Sequence, residues 1–237
     1  MAIQEGCPER ENREFRLIKE CCVEDKKGEK TECRKSYHHG NLREALIRSA
    51  LDILKEGSLD DLSLRALARR AGVSQTAPYR HFEDKEELIA VLKAEGMVKL
   101  GEGMRALTEG EADPLKRLQK CGMNYVRFAL EYPAHFKVMF EYELSDYHKY
   151  CDLNDVSGTC FKYLQDTVSE CLALPDARDI NPAVAQFGAW SMVHGLSILL
   201  MNESLMDHMK EEHEMDMGEQ EQIIEQVNKL FCHSLVK

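Results

Sequence analysis

The sequence is short of positive charge, with 31 Lys and Arg residues against 42 Asp and Glu residues and a formal net charge of −11. This balance argues against a uniformly basic surface that coats nucleic acid, but not against a small local site. The deficit lies in residues 86–237, which carry 14 basic and 26 acidic residues. Residues 36–85 carry eight basic residues, seven acidic residues and three histidines. The charge balance of this block is therefore the most compatible with a local nucleic-acid-binding site.

An export signal is also missing, because no segment combines a basic cap, an apolar run and a small-residue cleavage site. We therefore expect a cytoplasmic protein. The nine cysteines are scattered and odd in number, which in that compartment indicates reduced thiols. The longest uncharged run, residues 183–201, has about the length of a membrane span, but Gln186, Ser191, His194 and Ser197 interrupt it. A buried or interfacial helix is favoured, and no membrane partner is expected.

Enzymatic signatures are absent too. No nucleophile, base and orienting group can be assembled from the spacing, and no glycine loop suited to phosphate is present, so we expect neither an enzyme nor a cofactor. Cys7, Cys21, Cys22 and Cys33 match no C-x-x-C zinc pattern, and no metal site is expected. Thiolates nevertheless bind soft metals, so a redox- or metal-responsive regulator that senses through these N-terminal cysteines is the alternative function.

Helical spacing dominates the chain and β-type alternation is almost absent, which predicts an all-α protein. Residues 1–36 are polar and lack a sustained apolar stripe, which predicts a flexible N-terminal arm. Residues 37–83 are predicted to form a compact three-helix head, and residues 84–237 a larger helical-bundle body.

The helix boundaries follow capping and breaking residues. The first helix of the head should end near Gly57, the second should be capped by Ser63, and the third should run from Ser74 to about Phe82.

In the body, Asp84 and Asp113 should begin helices, and Pro133 should break one. The later helices are expected at residues 152–172, 181–206 and 218–235.

The stretch SLRALARRAGVSQTAPYRHF, residues 63–82, has the features of a helix-turn-helix. Ala68 allows close helix approach, Gly72 supplies a left-handed turn position, and Val73 fills the core. Pro78 is expected within the first turn of the third helix, with its ring exposed. These features are weak singly, but at this spacing they predict a DNA-reading element.

A helix in the major groove presents short polar and methyl-bearing side chains to base edges, while larger donors hold the phosphates. Gln75 is suited to adenine, whereas Thr76 and Ala77 are suited to a thymine methyl group. The alternative is that the two serines are only caps and Tyr79 is only core. The predicted DNA-contacting residues are His39, Ser63, Ser74, Gln75, Thr76, Ala77, Tyr79, Arg80, His81 and Lys85.

Residues 37–92, YHHGNLREALIRSALDILKEGSLDDLSLRALARRAGVSQTAPYRHFEDKEELIAVL, strongly resemble the DNA-binding head of tetracycline-repressor-type (TetR family) regulators. Residues 189–195, AWSMVHG, resemble the Trp, His, Gly signature of one branch of that family, which lies in its C-terminal ligand-binding domain. The resemblance implies a homodimer whose two heads read a pseudo-palindromic operator, with recognition elements about 34 to 36 Å apart or a multiple of that. It also implies a repressor released by a small-molecule inducer.

Helical bundles bind ligands between facing helices. The candidate ligand-binding residues are Met97, Tyr125, Phe128, Phe136, Met139, Phe140, Tyr163, Trp190 and His194. The alternative is that most of them are ordinary core, that His194 is a satisfied histidine and that Gly195 permits close helix packing. The family forms its dimer through the last two long helices, and the residues here that fit such an apolar face are Leu196, Leu199, Leu200, Ile223, Val227, Leu230 and Phe231.

Overall fold

A computed structural model describes residues 42–212 and 220–237 of the chain. In these ranges no strand forms, only an isolated bridge between Ala177 and Val236, so the all-α prediction is confirmed. The described residues contain the α-helices α1 (Leu42–Glu56), α2 (Leu64–Arg70), α3 (Lys85–Thr108), α4 (Pro114–Glu131), α5 (Pro133–Glu141), α6 (Cys151–Leu172), α7 (Pro182–Met201), α8 (Glu203–Glu212) and α9 (Gln220–Ser234). Short 3₁₀ helices lie at Leu59–Asp61, Pro78–Arg80 and Tyr147–Lys149.

Most helix starts follow the predicted capping residues. The Asp84 carboxylate accepts a hydrogen bond from Glu87 N at 2.8 Å and begins α3. Asp113 accepts from Leu115 N at 2.9 Å and begins α4. Pro133 ends α4 and starts α5, because proline lacks the amide that an interior helical position needs.

The prediction of a single helix over residues 181–206 is wrong, because the helix is interrupted at Asn202. Asn202 leaves the helical conformation with φ −90° and ψ 87°. Its side chain accepts a hydrogen bond from Leu205 N at 3.0 Å, which caps the next helix. The side-chain oxygen of Asn202 therefore caps the first turn of α8, and α7 ends before it.

The core of the body is built around α3 and α4, which pack against each other and against α6. Leu100, Val126, Phe136 and Val193 are at most 6% exposed and belong to one apolar cluster. Ile224 brings α9 into the same cluster. The described residues from Arg43 onward belong to one compact unit.

The predicted head has its own core. Leu46 and Leu67 are fully buried, and Phe82 is 2% exposed. The Arg70 guanidinium donates to both carboxylate oxygens of Glu56, at 2.6 and 2.7 Å, which ties α2 to α1. This exposed pair lowers the pKa of Glu56 through the side-chain hydrogen bond.

Four of the cysteines in the described residues are free thiols. Burial raises the pKa of Cys121 and of Cys232 to about 12 and that of Cys171 to about 11, so these thiols stay protonated at neutral pH. Burial also raises the pKa of the fourth, Cys160.

Candidate functional site

The turn after α2 has the geometry predicted for a helix-turn-helix. Ser63 Oγ accepts a hydrogen bond from Ala66 N at 3.1 Å and caps α2. Gly72 has φ 68°, a left-handed conformation that side chains with a Cβ rarely adopt. Val73 N then donates to Ala68 O at 2.9 Å, which closes the turn.

The segment after this turn is not the α-helix predicted from Ser74 to Phe82. Ala77 N donates to Ser74 O at 3.0 Å, a tight turn, and a 3₁₀ helix follows at Pro78–Arg80. Pro78 is buried, so the expectation of an exposed ring is wrong. A proline at this position lacks the amide for the first α-helical hydrogen bond, and the chain adopts the shorter 3₁₀ form with the ring packed inward.

The structure exposes much of the predicted DNA-contacting set. Tyr79 is 53% exposed, which removes the alternative that its ring is only core. His39 lies outside the described residues. Ser63, Ser74, Gln75, Thr76 and Arg80 are exposed, and Ala77, His81 and Lys85 are half-buried. Apart from Ser63, which caps α2, the exposed predicted contacts therefore follow the left-handed turn at Gly72.

Lys85 differs from the other predicted contacts, because its ammonium is already engaged within the protein. Nζ donates to Leu59 O at 2.7 Å and lies 5.7 Å from the centre of the Tyr142 ring. An ammonium has three donors, so a further acceptor can still be bound. A phosphate contact by Lys85 stays a prediction.

Two exposed arginines of α2 were not predicted as contacts. Arg65 and Arg69 lie one turn apart on the same helix face and are both exposed. The run RALARR, residues 65–70, is the sequence signal that marks them. These guanidinium groups add positive charge next to the Ser63 cap.

A cavity of about 530 Å³ lies between the helices of the body. Its walls come from α3, α4, α5, α6, α7 and α9 and from the Tyr147–Lys149 turn. Of the nine predicted ligand residues, five line it: Met97, Tyr125, Met139, Phe140 and Trp190.

The other four predicted ligand residues lie elsewhere. Phe128 and Phe136 are buried in the core cluster. Tyr163 bonds the Thr108 hydroxyl at 2.5 Å. His194 lies beside Tyr125 in the layer behind the cavity wall, and not among the lining residues.

A hydrogen-bonded chain joins the three polar aromatic residues of this region. Trp190 Nε1 donates to Tyr125 OH at 3.2 Å, and that hydroxyl lies 3.0 Å from His194 Nδ1. The Phe136 ring stacks on the His194 ring with centres 5.2 Å apart. Burial lowers the pKa of His194 and raises that of Tyr125, so both are neutral at pH 7. This arrangement matches the interpretation of His194 as a satisfied histidine.

Several lining residues were not predicted. Tyr147, Asn154 and Ser157 form a polar part of the wall, and Cys121 and Cys232 contribute thiols from two different helices. No local signal marks them, because the rotation of each helix about its axis decides which residues face the cavity.

The outward faces of α7 and α9 carry large apolar side chains. Phe187 is 57% exposed, Leu199 52% and Leu230 73%. Leu200, which was predicted for this face, is 6% exposed and belongs to the chain's own core. An added Cβ at Gly195 would meet nothing within 4 Å, so this glycine does not serve close packing within the described chain.

One helix within the described ranges, α7, is long and apolar enough to cross a membrane by length and composition alone. A helix with one face in a protein core and another in an apolar contact meets the same criterion.

Comparison with known proteins places the chain in a family. The family model "Bacterial regulatory proteins, tetR family" matches residues 46–92, and the model "Tetracyclin repressor-like, C-terminal domain" matches residues 118–217. Together they cover more than half of the chain. The chain belongs to the tetR family. The family match covers the turn at Gly72 and the exposed segment after it, whereas the branch signature at residues 189–195 stays a prediction.

Among curated tetR relatives, the Tetracycline repressor protein class C of Escherichia coli is 45% identical over 58 residues, which are 24% of this chain and 26% of that protein. The chain thus spans about a quarter of that relative's length. A protein of unknown function from Rhodococcus sp. RHA1 is 24% identical with a TM-score of 0.67, covering 86% of this chain and 100% of the other. AibR in complex with isovaleryl coenzyme A and operator DNA is 16% identical with a TM-score of 0.62, covering 80% and 97%. These two structures share the fold.

Membership in a family of regulatory proteins supports the expectation that the chain is not an enzyme. The comparisons do not support the redox- or metal-responsive alternative, whose cysteines lie outside the described residues. Within residues 42–212 and 220–237, no group of three or more His, Cys, Asp or Glu side chains is arranged to hold a metal ion.

Proposed function

We propose that this chain is a sequence-specific DNA-binding transcriptional regulator of the cytoplasm, a homodimeric repressor released by a small-molecule inducer. In this proposal residues 1–36 are an N-terminal arm, residues 37–83 the DNA-binding domain, and residues 84–237 the ligand-binding and dimerisation domain. The family models at residues 46–92 and 118–217 support the last two assignments. The printed name of the Escherichia coli relative supports repression as the direction of control.

The observation that carries the proposal is the exposed segment after Gly72. Gln75, Thr76, Tyr79 and Arg80 are all exposed on the short stretch that follows α2 and contains the buried Pro78. The amide of Gln75 has the donor and acceptor that adenine requires, and Tyr79 and Arg80 are suited to phosphate. The excess of acidic over basic residues lies in residues 86–237, outside this segment.

The exposed apolar face of α7 and α9 supports the homodimer. An apolar side chain as exposed as Leu230 is common singly, but Phe187, Leu199 and Leu230 on two neighbouring helices favour a covered face. Two copies related by a two-fold axis present two heads to a two-fold operator.

The short helix α5 supports ligand control of the head, because it contacts both regions. Met139 and Phe140 line the cavity, and Lys137 on the same helix donates its Nζ proton to Gly57 O at the end of α1, at 2.8 Å. Lys93 of α3 donates to Met139 O at 3.0 Å and to Tyr142 O at 2.6 Å. A ligand that displaces α5 therefore acts on the helix that leads into the head.

The test is selection of bound sequences from random double-stranded DNA, followed by a metabolite panel added to the selected complex. The proposal expects enrichment of a pseudo-palindrome and release of the complex by at least one compound. Absence of any enriched sequence, with folded dimer present, would refute DNA-sequence recognition. Enrichment with no release by any compound would refute inducer control and leave the DNA-binding part standing.

A further inference from the structure

We propose that the body cavity takes an uncharged, largely apolar aromatic compound, bound with its ring among sulfur and aromatic side chains and its polar end at Tyr147, Asn154 and Ser157. The regulatory consequence of such binding rests on the proposed function, but the ligand class itself follows from the cavity wall.

The first argument is the charge of the wall. No Lys, Arg, Asp, Glu or His side chain is among the described residues that line the cavity. Arg117, on the lining helix α4, is engaged by the Glu170 carboxylate and by Glu111 O, the latter at 3.0 Å. Arg105 is exposed and lines a separate shallow surface depression. A charged ligand that enters this cavity would lose its hydration and would find no opposite charge in the wall. A neutral ligand avoids this desolvation cost.

The second argument is the chemistry of the apolar wall. Four methionines, Met97, Met104, Met139 and Met192, and three cysteines share it with aromatic rings that include Phe140 and Trp190. Thioethers make favourable contacts with ring edges, and aromatic side chains pack on planar rings in offset or edge-to-face geometry. A wall of this composition favours an aromatic ligand over a saturated chain of equal size.

The third argument concerns the polar groups. Tyr125 OH already accepts from Trp190 Nε1 and contacts His194 Nδ1, so the deep hydroxyl is occupied by the protein. At the half-exposed side, Tyr147 OH donates to Ser157 Oγ at 2.7 Å, which leaves the Ser157 proton for another acceptor. The ligand's single polar group is thus expected at this side.

The chain offers an internal reporter, because its single tryptophan lines the cavity. We would titrate the full-length dimer with two dyes that share one ring system. N-phenyl-1-naphthylamine is uncharged, whereas 8-anilinonaphthalene-1-sulfonate carries a sulfonate. Binding is read from quenching of Trp190 emission and from the rise in dye emission. The neutral dye should bind, and the sulfonate should bind roughly tenfold or more weakly because its charge finds no partner.

A charge variant sharpens the test. Ser157→Arg places a cation at the polar side and should raise the affinity for the sulfonate relative to the neutral dye. The matched control, Thr159→Arg, adds the same charge at an exposed position of α6 that does not line the cavity, and should leave the ratio unchanged. If circular dichroism shows that Ser157→Arg does not fold, the ratio of the dissociation constants of the two dyes for the wild-type chain still tests the proposal.

Equal or tighter binding of the sulfonate to the wild-type dimer would overturn the proposal, as would failure of the neutral dye to quench Trp190. DNA release is measured separately with the selected operator. A neutral dye that binds and does not release DNA supports the ligand class and contradicts its role as inducer, so the two failures are distinguishable.

Discussion

Gly122 in α4 provides the strictest test of how the cavity wall is packed. A Cβ added there would overlap Asn228 Oδ1 and would lie 2.8 Å from Asn228 Cγ and 3.2 Å from Val193 Cγ1. Asn228 is 2% exposed, and its Nδ2 donates to Ile224 O at 2.7 Å. The amide therefore cannot turn away without losing that hydrogen bond. Gly122→Ala should force a rearrangement where α4, α7 and α9 meet.

The expected change in the free energy of unfolding follows from two destabilising effects and one stabilising effect. Overpacking a core costs about 1–3 kcal/mol, and a lost neutral hydrogen bond costs about 1 kcal/mol. Replacing glycine by alanine within a helix gains about 1 kcal/mol. The expected net change for Gly122→Ala is a loss of about 2 kcal/mol in the free energy of unfolding.

Gly158→Ala is the matched control, because an added Cβ at Gly158 in α6 would meet nothing within 4 Å. It should gain up to about 1 kcal/mol from helix propensity alone. Urea unfolding followed by far-UV circular dichroism measures both variants, at one protein concentration because a dimer's stability depends on it. Equal stability of the two variants, or stabilisation by Gly122→Ala, would refute the packing described here.

Three further perturbations have clear expected results. Leu230→Asp should give monomers in sedimentation velocity at concentrations where the wild type and Lys229→Asp remain dimers, since Leu230, unlike its neighbour Lys229, is an exposed apolar side chain on the proposed interface. Tyr79→Ala should weaken operator binding, and Arg80→Ala should lower the salt slope of binding by about 1, both measured by fluorescence anisotropy. Burial lowers the pKa of folded His194, so the unfolded chain binds more protons below about pH 6.5 and stability falls as pH falls. Between about pH 7.5 and about 5.5, His194→Asn should lose less stability than the wild type in urea titrations.

The helices were predictable where the signals are local. Asp84 and Asp113 cap helices through their own side chains, and Pro133 breaks one through its missing amide, so a few neighbouring residues decide the outcome. Asn202 also acts locally, but the apolar run that precedes it and the helical spacing of Leu205 and Met206 after it hid its cap. Gly72 was predictable because only glycine readily adopts the left-handed turn that follows α2.

The candidate sites were less predictable, because they depend on contacts between distant parts of the chain. Pro78 was expected to be exposed, but the segment after Gly72 takes the 3₁₀ form and packs the ring inward. Cys121 and Cys232 lie far apart in sequence and line one cavity. Tyr125 separates His194 from that cavity. Only the relative rotation of α4 and α7 determines this placement.

The central claim is that the exposed segment after Gly72 reads bases, and the most direct test is to repeat the DNA selection with Gln75→Ala. The control is Gln165→Ala, another exposed glutamine, on α6. Gln75→Ala should lose the preference for one base in each half-site, about 1–3 kcal/mol of discrimination, while overall binding and the remaining sequence persist. The Gln165 variant should select the wild-type sequence. Identical selected sequences for Gln75→Ala and the wild type would contradict this account of DNA recognition.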